Sequence, residues 1–189
     1  VLLLFVSPNC APCKSLLPQV RAWQRDYSDF LTIALLSRGT EKEVRNKIAK
    51  YEAKDVFLQG ESSIADDYQA KWTPAAVLID SSGKIASPVT SGDAAIRALV
   101  THTVTTAGSQ QGTAASVARP QIKVGKSLFN VGESAPRFTL PDLRGTEAAI
   151  DKLYASGRYR AVEFRKRARA DLAKGWKALD TENFLIVHH

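Results

Sequence analysis

Two cysteines spaced three apart, directly behind an apolar hexapeptide, constrain this chain more than any other feature. Val1-Leu2-Leu3-Leu4-Phe5-Val6 is an apolar run of the length of a buried strand, and Ser7-Pro8-Asn9-Cys10-Ala11-Pro12-Cys13-Lys14 follows it. From there Leu16, Leu17, Val20 and Trp23 recur at helical spacing. The pattern predicts a strand, a tight turn and a helix that opens on C-x-x-C. Thiol–disulfide exchange needs such an arrangement. The unpaired N–H groups and positive dipole end of a helix N-terminus favour thiolate over thiol. Cys10 is then the expected nucleophile, and Cys13, one turn further in, the thiol that resolves the mixed disulfide. Pro12 restricts the backbone between them, and Pro18 removes an N–H inside the helix, where a kink is expected.

C-x-P-C after an apolar strand, with a proline five residues past the second cysteine, resembles the active-site segment of the thioredoxin-like superfamily, in its redoxin or TlpA-like branch. A structural zinc site is the main competitor for such a pair, and it would need two further Cys or His ligands. The chain has only these 2 cysteines, and His102, His188 and His189 are distant in sequence. No metal site is predicted.

The rest of the first half reads as alternating strands and helices. Phe30 to Leu36 is rich in apolar and β-branched residues, Thr40 and Glu43 are spaced as a capping box, and Val44, Ile48 and Tyr51 share one helical face. Val56-Phe57-Leu58 is a short strand and Ser63 to Ala70 a short helix. Ala75 to Ile79 is a strand, followed by a turn at Asp80 to Lys84 and a hairpin partner at Ile85-Ala86; Ala94 to Val100 is a helix. The order βαβαβαββα gives an α/β sandwich, a central mixed sheet flanked by helices. It matches the thioredoxin-like core from its central strand onward.

Trp72-Thr73-Pro74 stands immediately before the Ala75 strand. The resemblance places a cis-proline here, facing the C-x-x-C, and implies that Trp72, Thr73 and Pro74, with Pro12, form the substrate-binding surface. Thr73 would offer its backbone for strand-like pairing with a substrate segment. Three positions depart from the family pattern. Leu4 and Leu16 occupy sites where related proteins carry a carboxylate able to move the second thiol's proton, and Asn9 replaces an aromatic residue.

Charge is unevenly placed in a chain of net charge +7: residues 1–102 hold 12 Lys and Arg against 11 Asp and Glu, residues 103–189 hold 14 against 8. Arg165-Lys166-Arg167 and Arg169 fall in a helical pattern, which reads as a solvated helix face rather than a nucleic-acid surface. No apolar run approaches the ~20 residues of a membrane span. The chain starts inside a strand and has no methionine, so it reads as part of a longer protein. The TlpA-like resemblance favours an extracytoplasmic setting for that parent.

Three parts are expected: a catalytic domain at 1–102 that lacks its N-terminal hairpin, a flexible linker at 103–121 rich in Thr, Ser, Gly, Ala and Gln, and a cysteine-free partial repeat at 122–189. Val131 to Gly145 carries G-x-x-A-P-x-F-x-L-x-D-x-x-G and resembles the opening hairpin of redoxin and peroxiredoxin domains. Either it starts a second unit or it folds back on the first. Ala161-Val162-Glu163-Phe164, a helical stretch with Leu172 and Trp176, then Phe184-Leu185-Ile186-Val187 parallels the chain from Leu2 to Ile33, and this favours the second unit.

The expected activity is that of a thiol–disulfide oxidoreductase working on protein thiols and disulfides, coupled to a reductase or oxidase partner. It needs no cofactor, since the sulfurs carry the electrons. A peroxiredoxin-like peroxidase is one alternative, but Leu3 stands where its P-x-x-x-T/S-x-x-C pattern wants proline, although Ser7 fits. A non-catalytic thioredoxin-fold binding module is the other.

Overall fold

The computed structural model describes residues 1–29, 31–60, 64–109, 130–149, 153, 177–181 and 184–188. Strand β1 (Leu2–Val6) is the axis of a mixed sheet. It pairs in parallel with β2 (Ile33–Ser37) and antiparallel with β4 (Ala75–Leu78). Outside β2 lies parallel β3 (Val56–Leu58); outside β4 lies antiparallel β5 (Thr90–Ser91), so the sheet order is β3-β2-β1-β4-β5. The first six residues are apolar without alternation because β1 is covered on both faces. Leu2, Leu4 and Val6 join one buried cluster, Leu3 and Phe5 the other.

On the first face lie α1 (Ala11–Asp26), α2 (Glu41–Lys47) and α4 (Asp93–Ser109), which contribute Leu16, Leu17, Val20, Val44, Ile96 and Val100 to the core. The opposite face is covered by α3 (Ile64–Asp67) through Ile64 and Ala65, with Tyr68 behind it. A capping box at Thr40 and Glu43 starts α2, with both reciprocal bonds formed. A 3-10 turn, Ala49–Tyr51, follows it.

The observed order is the predicted βαβαβαββα. The expected partner at Ile85-Ala86 is met as an antiparallel bridge from Ile85 to Ile79, with Ala86 N–H donating to the Leu78 carbonyl at 2.7 Å, and β4 has a further, unpredicted strand partner at Thr90–Ser91, beyond Pro88. A two-residue strand carries too little alternation to stand out in sequence. Residues 103–109 of the expected linker instead belong to α4, which continues to Ser109. Thr103 donates its hydroxyl to the Leu99 carbonyl at 2.8 Å, and Val104 packs against the core, so a Thr- and Ala-rich stretch extends the helix instead of leaving it. Residues 110–121 of the expected linker lie outside the described residues.

The segment that follows Asn130 leads into a hairpin of β6 (Thr139–Pro141) and β7 (Glu147–Ala149). It packs on the first unit. Ile85 N–H donates to the Glu133 carbonyl at 2.9 Å, Gly132 N–H to that of Ile85 at 2.8 Å, and Ala135 N–H to that of Gly83 at 2.8 Å. Asp142 bridges to Phe57 on edge strand β3, and the Arg45 guanidinium of α2 donates to the Leu143 carbonyl. Ala135 and Leu140 are buried among Phe57, Ile64, Tyr68 and Ile85, with Phe138 and Leu153 against them. The apolar face that α3 alone leaves uncovered explains the attraction: an edge strand with buried neighbours is stabilised by pairing and coverage.

Of the expected repeat, the strand at Phe184 is present as β9 (Phe184–His188), but it pairs antiparallel with β8 (Lys177–Thr181). Its expected first strand, Ala161 to Phe164, lies outside the described residues, as do Arg165 to Arg169.

Candidate active site

The polypeptide leaves β1 at Val6, turns through Ser7, Pro8 and Asn9, and enters α1 with Cys10 as the N-cap residue. The turn is closed by Cys10 N–H donating to the Ser7 carbonyl at 3.2 Å. Cys10 has extended dihedrals (φ −85°, ψ 115°), and its Sγ accepts the backbone N–H of Cys13 at 3.1 Å. A sulfur thus occupies the place where Ser or Asp oxygens cap other helices. Pro12 sits in the first helical turn, where an amide N–H would have no intrahelical partner and its loss is harmless. The helix continues through Pro18 as far as Asp26.

Cys10 and Cys13 are joined as a disulfide, with Cα atoms 5.2 Å apart. Their surroundings differ. Cys10 is half-buried, with exposed Asn9, Ala11 and Pro12 about it, whereas Cys13 is 1% exposed. Cys13 belongs to the same apolar cluster as Leu4 and Leu16, the two positions where a carboxylate was missing from the sequence pattern. Apolar side chains thus pack where the family pattern would put a carboxylate. The Cys13 thiol of the reduced protein is therefore disfavoured as a thiolate by its surroundings.

From the other side, the Thr73–Pro74 peptide is cis, and the Thr73 carbonyl oxygen lies 3.2 Å from Cys10 Sγ. The disulfide sulfur carries no proton, so here the approach is a contact; in the dithiol form the Cys10 S–H is placed to donate to that oxygen. Pro74 is buried and Thr73 half-buried. Trp72 is 76% exposed, a large apolar side chain in solvent beside the sulfur loop. The expected site residues therefore gather as follows: Cys10, Cys13, Pro12, Thr73 and Pro74 at the sulfurs, with Trp72 on the outer rim. The fold is thioredoxin-like.

Sequence reading missed the support beneath the turn. Lys47, at the end of α2, donates to the Asn9 Oδ1 at 2.5 Å. Glu43 accepts the Thr40 N–H at 3.0 Å and hydroxyl at 2.9 Å, and these two bonds, with Asn9 and the Lys47 charge adding to them, hold its carboxyl below the usual range. Arg38 N–H donates to the Val6 carbonyl at 3.1 Å. Gly39 has φ +96°, and a Cβ placed on it would stand 3.0 Å from Pro8 Cγ, so the β2–α2 loop touches the active-site turn with no side chain between. An Asn before the cysteine and a Lys at the end of a separate helix give no local signal of one another.

Ser7 accepts the Asn9 N–H at 3.4 Å, and Leu3 is wholly buried in β1 on the face away from Cys13. Among the described residues, no group of three or more His, Cys, Asp or Glu side chains gathers as metal ligands would. No described helix is long and apolar enough to cross a membrane.

No protein-family model matches the chain, and no curated protein does. Among solved structures it is similar to a secreted Mycobacterium tuberculosis disulfide oxidoreductase homologous to E. coli DsbE, at 17% identity and a TM-score of 0.36, over 41% of this chain and 59% of that one. It is also similar to MTB DsbF in its mixed oxidized and reduced forms, at 19% identity and a TM-score of 0.44, over 55% of this chain and 78% of that one. The chain thus spans less than two thirds of the first of these proteins.

Proposed function

We propose that the protein is a thiol–disulfide oxidoreductase that exchanges disulfides with protein partners through Cys10 and Cys13. The carrying observation is the asymmetry of the pair: a half-buried Cys10 whose sulfur is an N-cap acceptor, and a Cys13 buried directly behind it. A hydrogen bond to sulfur from Cys13 N–H is retained by a Cys10 thiolate and strengthened by its charge. The thiolate attacks a partner disulfide, the partner's other sulfur leaves as thiolate, and a mixed disulfide forms at Cys10. Cys13 then displaces the partner's remaining sulfur and closes the intramolecular disulfide. In reverse, the same steps oxidise a partner dithiol.

The Thr73 carbonyl at the sulfur supports a substrate segment laid extended along Thr73, and Trp72 and Pro12 flank that path. The electrons stay on sulfur throughout, so this reading invokes no organic cofactor. A reductase or oxidase partner closes the cycle. Thiol exchange of this type fits an extracytoplasmic setting, where protein disulfides persist.

Reduction of insulin, coupled to a dithiol reductant, tests the assignment. Cys10→Ser should abolish the reaction. Cys13→Ser should retain attack, lose resolution and accumulate mixed disulfides that gel electrophoresis without reductant resolves. Wild-type rates from Cys10→Ser would defeat the nucleophile assignment. Consumption of hydroperoxide dependent on Cys10, with insulin left untouched, would favour a peroxidase instead.

A further inference from the structure

The outer rim of Cys10 carries a pattern that the exchange chemistry does not use. Each of three segments that meet at the sulfur loop carries a lysine within two residues of a site residue or bonded to the turn. Lys14 follows Cys13 on α1 and is exposed; Lys71 precedes Trp72 and is exposed; Lys47 reaches the turn from α2 through its 2.5 Å bond to Asn9, next to Cys10. Among the described residues, neither Lys14 nor Lys71 has a carboxylate within ion-pair distance. Two acids on neighbouring elements are engaged elsewhere. Glu43 binds Thr40, and Asp93, at the start of α4, faces Arg97 at 3.9 Å. Trp72, next to Lys71 in the chain, is 76% exposed and one residue from the carbonyl that touches the sulfur.

A positively charged rim with an exposed indole is complementary to one kind of segment. We propose that this rim selects partner segments in which the reacting cysteine is flanked by an apolar side chain and by acidic residues. The apolar side chain covers the Trp72 ring, and the acids pair with Lys14, Lys47 and Lys71. The selection rests on the oxidoreductase reading above and adds the substrate class to it. Salt bridges at an exposed rim are individually weak, so the preference is built from several small attractions and is salt-sensitive.

The test uses the full chain with both cysteines reduced and three peptides, each with one cysteine carried as a 2-pyridyl mixed disulfide. One peptide has leucine and glutamates around the cysteine, one leucine and lysines, and one serine and glutamates. In each reaction Cys10 attacks the peptide sulfur and 2-thiopyridone leaves, which is read by absorbance. Cys13 then frees the peptide thiol, so the dithiol is oxidised to the Cys10–Cys13 disulfide as the mixed disulfide is reduced. At low salt, kcat/KM for the leucine–glutamate peptide should exceed that for the leucine–lysine peptide about tenfold, and the ratio should fall toward one at about 1 M salt. Lys14→Glu combined with Lys71→Glu should reverse that order, and Trp72→Ser should remove an advantage of about fivefold of leucine over serine. Equal rates for the three peptides at low salt would overturn the selection alone. A reduced wild-type protein that consumes none of them would overturn the oxidoreductase reading, and the selection with it.

Discussion

At the scale of residues, the cysteine pair and its unequal exposure were legible in sequence because both are local: a C-x-x-C after a buried strand dictates which sulfur is exposed and which is not. The same locality makes one outcome definite. Alkylation of the reduced protein at Cys10, followed against pH, should have its midpoint below the roughly 8.5 of a free cysteine, because the Cys13 N–H and the start of α1 stabilise the thiolate. A midpoint at or above that value would mean that the sulfur does not cap the helix in the dithiol form. What sequence did not show is the floor of the site. Gly39 has an unremarkable place between Arg38 and Thr40, yet its φ of +96° and its approach to Pro8 leave no space for a methyl. Gly39→Ala should cost about 1–3 kcal/mol in denaturant unfolding. It should also slow insulin reduction by more than it lowers stability at the assay temperature, since the pressure falls on the turn before Cys10.

At the scale of elements, capped helices and apolar strands were read correctly, as were the short β3 and α3, whereas β5 and the end of α4 were not. β5 has two residues, and the last turns of α4 are built of Thr, Ala and Gly, which sequence reading assigns to a linker. The β6–β7 hairpin stood out by its motif, but its packing partner was left open, because nothing local distinguishes a hairpin that starts a unit from one that completes another. Its turn gives a pH prediction. Asp142 accepts the Thr146 N–H at 2.9 Å and the Arg144 N–H at 2.7 Å. The Thr146 bond foremost, with the Arg144 bonds adding, holds its carboxyl below 3.8. A carboxyl whose folded value is depressed supplies stability above its unfolded value and loses it as pH falls through the folded one. The wild-type hairpin should therefore loosen as the pH drops below about 3.8, seen as faster exchange of the Thr146 amide relative to core amides. Asp142→Asn should remove this dependence from the turn. An unchanged profile in the variant would show that the turn is held by other means.

At the scale of the whole molecule, the sheet's second buried face, opposite Cys13, is not finished by the first 109 residues. Ala135 and Leu140 supply part of the second buried face, and both are 7% exposed or less. Leu140→Ala should destabilise the protein by about 2–5 kcal/mol, as a leucine removed from a packed core does. Its insulin-reducing rate under strongly folding conditions should stay close to wild type, since Leu140 lies on the sheet face opposite Cys13. Truncation after Ser109 should give a less stable, more aggregation-prone protein; a truncated form as stable as the full chain would mean that the hairpin is a passenger. The position of that hairpin also has a consequence for synthesis. Phe57 and its bridging partner Asp142 are about 85 residues apart, and at 5–20 residues per second a ribosome needs roughly 4–17 s to travel between them. For that interval the nascent chain presents an open strand edge and an uncovered apolar face, with both thiols already made. Protection during those seconds has to come from outside the chain, so yield in a cell should depend on holdase chaperones and on translation speed between codons 58 and 142 far more than the final stability would suggest.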